Sequence, residues 1–219
     1  MNFPEPFSGN GIYEEIPDPQ IRVKSNHRIS IIFSTVSHQS QNLILNEKQL
    51  QSAFTALGFP EQTLSQETIE ALYSLGHSLS TESTNSPTLS SSPPGIDNYA
   101  FHSLWSILTT IQNIFHYLDL DHDMLISPFA QNQGFHQFTQ YLNSTAPEGT
   151  LYPRQIPPKT TKRYYISPSA ANSVTLDMFV CSCINQYQAS RLLLKLDPFG
   201  TGVIQVDYEK FLYEVSELL

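Results

Sequence analysis

The sequence predicts an all-α protein built from helix–loop–helix units. Apolar side chains recur at spacings of three and four along most of the chain, which places them on one face of a helix. Residues that cap helix starts, such as Asn46, Asp97 and Thr175, come just before several of these amphipathic stretches. No segment gives a convincing strand pattern. We therefore expect a chain made almost entirely of helices, with only short β pairings between loops.

Composition and charge limit the classes of partner. The chain has 219 residues, of which 40 % are hydrophobic, so it can bury a core. Its 11 Lys and Arg against 20 Asp and Glu give a net charge of -9, which repels phosphate backbones and anionic lipid headgroups. The start of the chain lacks the basic and apolar stretches of a secretory signal. We expect a cytoplasmic protein that binds neither nucleic acid nor membrane.

Three segments rich in proline or serine interrupt the helical pattern. Residues 1–22 contain four prolines and predict a flexible arm, which leaves residues 23–219 as the folded domain. Residues 78–95 form a low-complexity Ser/Thr/Pro insertion that lacks the apolar groups needed to order it. Residues 144–173 contain five prolines and predict a second insertion.

The first two predicted helices have signals at both ends. Asn46 caps the first, which Gly58 ends. Thr63 and Gln66 resemble a capping box for the second, which we expect to end at Gly76.

The remaining helices have clear starts. Asp97 opens a long apolar helix, and Ser127 followed by Pro128 opens the next, because proline at the first helical position loses no needed donor. Thr175 opens another long helix, and Asp207 opens the last.

The segment DLDHDMLISPFA, residues 119–130, contains the candidate metal-binding residues. Asp119, Asp121 and Asp123 occupy loop positions one, three and five, where an EF-hand places hard carboxylate oxygens around calcium. Leu125 at position seven would contribute its backbone carbonyl. These four residues are the candidate metal ligands.

Two residues of this loop differ from those of a usual EF-hand loop and weaken the predicted metal site. Met124 stands at position six, where glycine normally permits a sharp turn, and Ala130 stands at position twelve, where glutamate normally gives two oxygens. We therefore expect weak or absent calcium binding. The alternative is that the aspartates form a solvated turn with no ligand.

A second loop, DPFGTGVIQVDY, extends over residues 197–208. It keeps Asp197 at position one and Ile204 at position eight, but Phe199 and Tyr208 have no carboxylate to offer. We expect a folded loop without metal.

The spacing of apolar residues at loop position eight points to shared helices. Leu45, Ile96 and Val174 each precede a helix start as Ile126 and Ile204 do, although their loops supply only neutral oxygens. The interval from Ile96 to Ile126 is 30 residues, and that from Val174 to Ile204 is again 30. That length leaves room for one helix between the two loops of each interval. We therefore expect one helix to leave the second loop and enter the third, and another to join the fourth and fifth.

Three segments carry a resemblance to a known family. LLLKLDPFGTGVIQVDYEKFL is similar to the fifth EF-hand of the penta-EF-hand family, which includes sorcin, grancalcin, peflin and the domains at the C-terminal ends of the calpain chains. FHSLWSILTTIQNIFHYLDLDHDMLIS resembles the second exiting helix and third loop, and VTLDMFVCSCI the fourth exiting helix. The resemblance covers residues 28–219.

The resemblance implies an eight-helix domain whose fifth hand pairs with that of another chain, giving a homo- or heterodimer. A fifth loop has no partner loop in its own chain, so its apolar strand and helix face must be covered by something else. This argument agrees with pairing between two chains. The expected interface consists of Val203, Ile204, Val206, Phe211, Leu212, Val215 and Leu218. The alternative is that this helix packs within its own monomer.

The expected function is that of a non-catalytic, dimeric protein-binding adaptor. No phosphate-binding loop, nucleophile elbow or zinc-ligand spacing occurs in the sequence, so we predict no catalytic residue. The alternative is a regulatory subunit of a calpain-like enzyme that dimerises through the fifth hand.

Overall fold

The computed structural model describes residues 19–37, 44–59, 63–83, 95–145, 173–197 and 207. Six helices and one two-stranded sheet lie within these ranges. In chain order they are α1 (Pro19–Ser37), α2 (Glu47–Leu57), α3 (Gln66–Ser83), α4 (Asn98–Leu118), β1 (Leu125–Ile126), α5 (Pro128–Thr145), β2 (Val174–Thr175) and α6 (Leu176–Leu196). The predicted all-α, EF-hand-like fold class is confirmed.

Helix α2 has the ends that its sequence predicts. The side chain of Asn46 accepts a hydrogen bond from the backbone N–H of Gln49, and the side chain of Gln49 accepts one from the N–H of Asn46, both at 3.0 Å. This reciprocal arrangement satisfies two N–H groups that the first turn leaves without partners. Gly58 ends the helix with a φ of 105°, a conformation that glycine adopts without steric cost.

The three later helix starts are also as predicted. Asp97 accepts a hydrogen bond of 2.8 Å from the N–H of Ala100 at the start of α4. Thr175 accepts one of 3.3 Å from the N–H of Met178 at the start of α6. Ser127 precedes α5, which begins at Pro128.

The start of α3 differs from the prediction by one contact. The helix begins at Gln66, but the hydroxyl of Ser65, not that of Thr63, accepts a hydrogen bond from a first-turn N–H, that of Thr68, at 3.3 Å. The carboxylate of Asp177 accepts hydrogen bonds from both the N–H and the hydroxyl of Ser65. Ser65 therefore starts α3 and ties it to the first turn of α6.

The predicted end of α3 at Gly76 is wrong. The helix continues through this residue to Ser83. A Cβ at Gly76 would lie 2.6 Å from Cδ1 of Leu104 and 2.7 Å from Cδ1 of Ile96. The glycine thus permits a close approach between α3 and its neighbours rather than a helix end.

The predicted insertions overlap partly with the described helices. Helix α3 takes in the first residues of segment 78–95, and helix α1 begins at Pro19, within the predicted arm 1–22. Helix α5 ends at Thr145, just inside segment 144–173. The rest of all three segments, apart from residues 95 and 173, lies outside the described residues.

Helices α4 and α6 are each single and continuous, with 21 residues. Helix α4 runs from the second loop to Asp119 at the start of the third. Helix α6 runs from the fourth loop to Asp197, where the fifth is predicted to start. The helix shared by the second and third loops is confirmed. The fifth loop lies almost wholly outside the described residues, so its sharing of α6 stays a prediction.

The loops pair at their eighth positions, which gives the short β pairings that the sequence predicts. Leu45 and Ile96 exchange two backbone hydrogen bonds of 2.9 and 3.0 Å, which joins the first loop to the second. Ile126 pairs with Val174 in the antiparallel sheet of β1 and β2, which joins the third loop to the fourth. Ile204 lies outside the described residues.

Aromatic side chains on α1, α2 and α6 pack against the two ends of α4. Near its start, Phe101 contacts Phe33 and Phe54 at ring-centroid distances of 5.6 and 5.9 Å. Near its end, Phe115 contacts Phe179 at 5.9 Å. One helix therefore contributes to the core on both sides of the molecule.

A polar contact on α4 gives a testable pH dependence. His102 Nε2 and Ser30 Oγ share a hydrogen bond of 2.9 Å that links α4 to α1. Burial lowers the pKa of His102 below its usual value, because desolvation disfavours the charged imidazolium. The unfolded chain therefore binds this proton more readily, and the stability that neutral His102 contributes is lost as pH falls.

We expect wild type to lose more stability than His102→Gln between about pH 7.5 and about pH 5, since glutamine stays neutral over that range. Denaturant unfolding at several pH values measures this slope. Equal slopes for wild type and His102→Gln would contradict the prediction.

Candidate metal centre in the third loop

The third loop brings together the three aspartates that the sequence singles out. It starts at Asp119, directly after α4, and leads through β1 into α5. Carboxylate oxygens of Asp119, Asp121 and Asp123 all lie within 4.8 Å of one another. Among the described residues, they form the one group of acidic, histidine or cysteine side chains close enough to hold a metal ion.

Asp119 differs from its two neighbours because it is buried, with 1 % of its surface exposed. Its Oδ2 accepts a hydrogen bond of 3.1 Å from the N–H of Met124. Its Oδ1 is buried and has no hydrogen-bond partner. A buried polar atom left without a partner costs about 1–3 kcal/mol, and more when it is charged. A cation held by the three carboxylates would give this oxygen a partner, so these residues fit a metal ion.

The other two aspartates are exposed, and the backbone holds one of them in place. Asp123 Oδ1 accepts a hydrogen bond of 2.9 Å from the N–H of Leu125. Leu125 itself lies in β1, at loop position seven. All four predicted ligands therefore lie in one continuous loop between α4 and α5.

The loop keeps an EF-hand backbone even without the usual glycine. Met124 at position six has a φ of 65°, and His122 at position four has a φ of 58°. A side chain other than glycine costs about 1–2 kcal/mol in this left-handed region. The sequence therefore predicts correctly that Met124 occupies a position suited to glycine.

The end of the loop offers fewer oxygens than a calcium site needs. Ala130 at position twelve has no oxygen in its side chain. Ser127 at position nine accepts a hydrogen bond of 3.1 Å from the N–H of Ala130, so its hydroxyl caps α5. The side chains of the loop thus supply three carboxylates and no bidentate ligand.

Large apolar side chains are exposed around this loop, a feature that the sequence pattern does not predict. Leu120 is 86 % exposed, Phe129 72 % and Met124 46 %. Met124 and Leu125 also line a groove beside the Ser65–Asp177 contact. Such a patch is typical of an interaction surface.

The two cysteines do not provide an activated nucleophile. Burial raises the pKa of the Cys181 thiol and raises that of Cys183 well above its usual value. Both thiols therefore stay protonated at neutral pH, and the nucleophilic thiolate is disfavoured.

The predicted dimer interface and almost all of the fifth loop lie outside the described residues. This set comprises Val203, Ile204, Val206, Phe211, Leu212, Val215 and Leu218. Their roles stay predictions.

Helix–loop–helix units paired through position eight, with alternate aspartates in one loop, define a protein of the EF-hand fold. None of the described helices is long and apolar enough to cross a membrane.

Comparisons with known proteins add a distant likeness. No protein-family model matches the chain, and no curated protein matches it. The chain is similar in structure to a homologue of programmed cell death 6 protein from Leishmania major Friedlin. The two are 14 % identical, the match covers 89 % of this chain and 96 % of that chain, and the TM-score is 0.49. At that distance, the interpretation of the fold rests on the loop geometry described above.

Proposed function

We propose that this chain is a non-catalytic protein-interaction module of the penta-EF-hand type that acts as a dimeric adaptor. The single observation that carries the proposal is the loop pairing: the first loop pairs with the second, and the third with the fourth. No loop among the described residues is left to pair with a fifth.

The position of Asp197 supports a fifth unit. Its backbone N–H donates a hydrogen bond of 2.8 Å to the carbonyl of Leu193, so α6 ends at the point where the sequence places loop position one. An unpaired loop strand and an apolar helix would expose backbone and apolar surface. The fifth hand of a second chain can cover both, because identical surfaces meet across a two-fold axis.

The third loop adds a weak metal site to this module. Three carboxylates and one carbonyl leave calcium without the bidentate ligand that gives EF-hands much of their affinity. The exposed side chains of Leu120, Met124 and Phe129 next to the loop offer apolar surface to another protein without a calcium trigger.

We expect Val215→Asp to convert the dimer to a monomer, since it places an unpaired charge on the predicted apolar interface. Dissociation should become at least about 30-fold easier, equivalent to a loss of about 2 kcal/mol. Size-exclusion chromatography with light scattering measures the mass, and circular dichroism checks that the variant folds.

Ile31→Asp is the matched control, because it adds the same charge at an exposed position on α1. It should leave the dimer intact. A wild-type monomer at micromolar concentration would contradict the homodimer, and an unstable monomer would favour a partner of another sequence. A Val215→Asp dimer of wild-type affinity would place the interface elsewhere.

A further inference from the structure

We infer that the third loop selects magnesium over calcium, so that its site holds a six-coordinate, partly hydrated ion. The inference rests on the metal site within the proposed function and names the ion that the site takes. It does not depend on dimerisation.

The number of oxygens that the protein supplies is small. Asp119, Asp121 and Asp123 offer one carboxylate oxygen each within the 4.8 Å cluster. Leu125, at position seven, is the predicted fourth ligand through its backbone carbonyl. Ala130 offers none. Ser127 stands at position nine, which often reaches the ion through a water, so we do not count it among the direct protein oxygens. The protein thus supplies four oxygens.

The two ions need different numbers of ligands. Calcium takes six to eight oxygens, and an EF-hand reaches seven through the bidentate glutamate at position twelve. Magnesium takes six, gives up its water reluctantly, and is usually held by a few carboxylates together with several waters. Four protein oxygens and two waters complete a magnesium shell. A calcium ion would need about three waters in place of the oxygens that normally make EF-hands calcium-selective.

The buried carboxylate of Asp119 provides the anchor. Its Oδ1 has no hydrogen-bond partner, while its Oδ2 is fixed by the N–H of Met124. Asp121 and Asp123 are exposed, so the site is accessible to the waters that a magnesium ion retains. One buried oxygen and two exposed carboxylates suit an ion that keeps part of its hydration shell.

Isothermal titration calorimetry tests this selectivity on the full chain after treatment with chelator, with magnesium chloride and calcium chloride as separate titrants. We expect wild type to bind magnesium more tightly than calcium, in the range of about 0.1–1 mM or weaker. Asp119→Asn, which keeps the size of the side chain, should weaken binding of both ions at least about tenfold, because it removes a ligand charge.

Ala130→Glu restores the missing ligand and should reverse the preference. Calcium affinity should rise at least about 100-fold, while magnesium affinity changes less than about tenfold. Ala130→Gln is the matched control, since it has the same length but no charge, and it should raise calcium affinity far less. Circular dichroism confirms that each variant folds.

Three results would overturn the inference. Wild type could bind calcium as tightly as magnesium or more tightly, could bind no magnesium up to about 10 mM, well above the weakest EF-hand range, or could bind both ions unchanged after Asp119→Asn. Light scattering on the same samples keeps the two proposals separate. A dimer with a calcium-selective loop contradicts only this inference, and a magnesium-binding monomer contradicts only the homodimer.

Discussion

Replacing Phe179 with alanine is expected to lower the free energy of unfolding by about 3–5 kcal/mol. Its ring is fully buried on α6 and contacts the rings of Phe115 and Phe135 at centroid distances of 5.9 and 5.7 Å. Gly134 on α5 lies so close that a Cβ there would be 2.6 Å from Cζ of Phe179. Truncation therefore leaves a cavity between three helices. Urea unfolding followed by circular dichroism measures the loss.

Phe179→Leu is the matched control for this cavity. It keeps most of the apolar volume, so its cost should be clearly smaller than that of alanine. A loss below about 1 kcal/mol for Phe179→Ala, the size expected for a surface site, would mean that the three helices do not pack around this ring.

Replacing Asn113 with proline is expected to cost about 3 kcal/mol or more. Asn113 is exposed in the interior of α4, so the substitution removes a backbone donor and adds a ring clash without disturbing the core directly. The stability of the whole fold should fall, because α4 packs against the core at Phe101 and at Phe115. Thermal and urea unfolding measure the effect.

Asn113→Ala separates the backbone effect from the loss of the side chain. Alanine favours a helix, so this control should stay within about 0.5 kcal/mol of wild type or be slightly more stable. If the proline variant were as stable as the alanine control, the second and third loops would not share one continuous helix.

Local chemistry explains why much of this fold could be predicted from the sequence. A helix cap needs only a side chain within three residues of the N–H that it accepts from, so Asn46, Asp97 and Thr175 were identifiable. The 30-residue interval between Ile96 and Ile126 fixed the number of helices between two loops, because one helix and its flanking turns fill that length.

Tertiary contacts explain the errors. Gly76 has the sequence signature of a helix end, but its role depends on Leu104 and Ile96, which approach it from other elements. Ser83 ends α3 within a segment whose composition predicts no order. Neither outcome could be read from the residues nearby.

The candidate site, like the fold, could be predicted only where the signal is local in the sequence. Alternate spacing in the loop predicted that Asp119, Asp121 and Asp123 would meet. That Asp119 alone is buried, with one oxygen unpartnered, depends on how the loop packs in three dimensions and has no signal in the local sequence. The exposure of Leu120 and Phe129 likewise runs against their apolar character.

The continuity of α4 has a mechanical consequence. A rigid rod that leaves one loop and enters the next behaves as a lever, since no linker is present to absorb a tilt. We therefore expect a tilt of α4 beside the third loop to be transmitted to Asp97 and the neighbouring Leu45–Ile96 bridge at its other end.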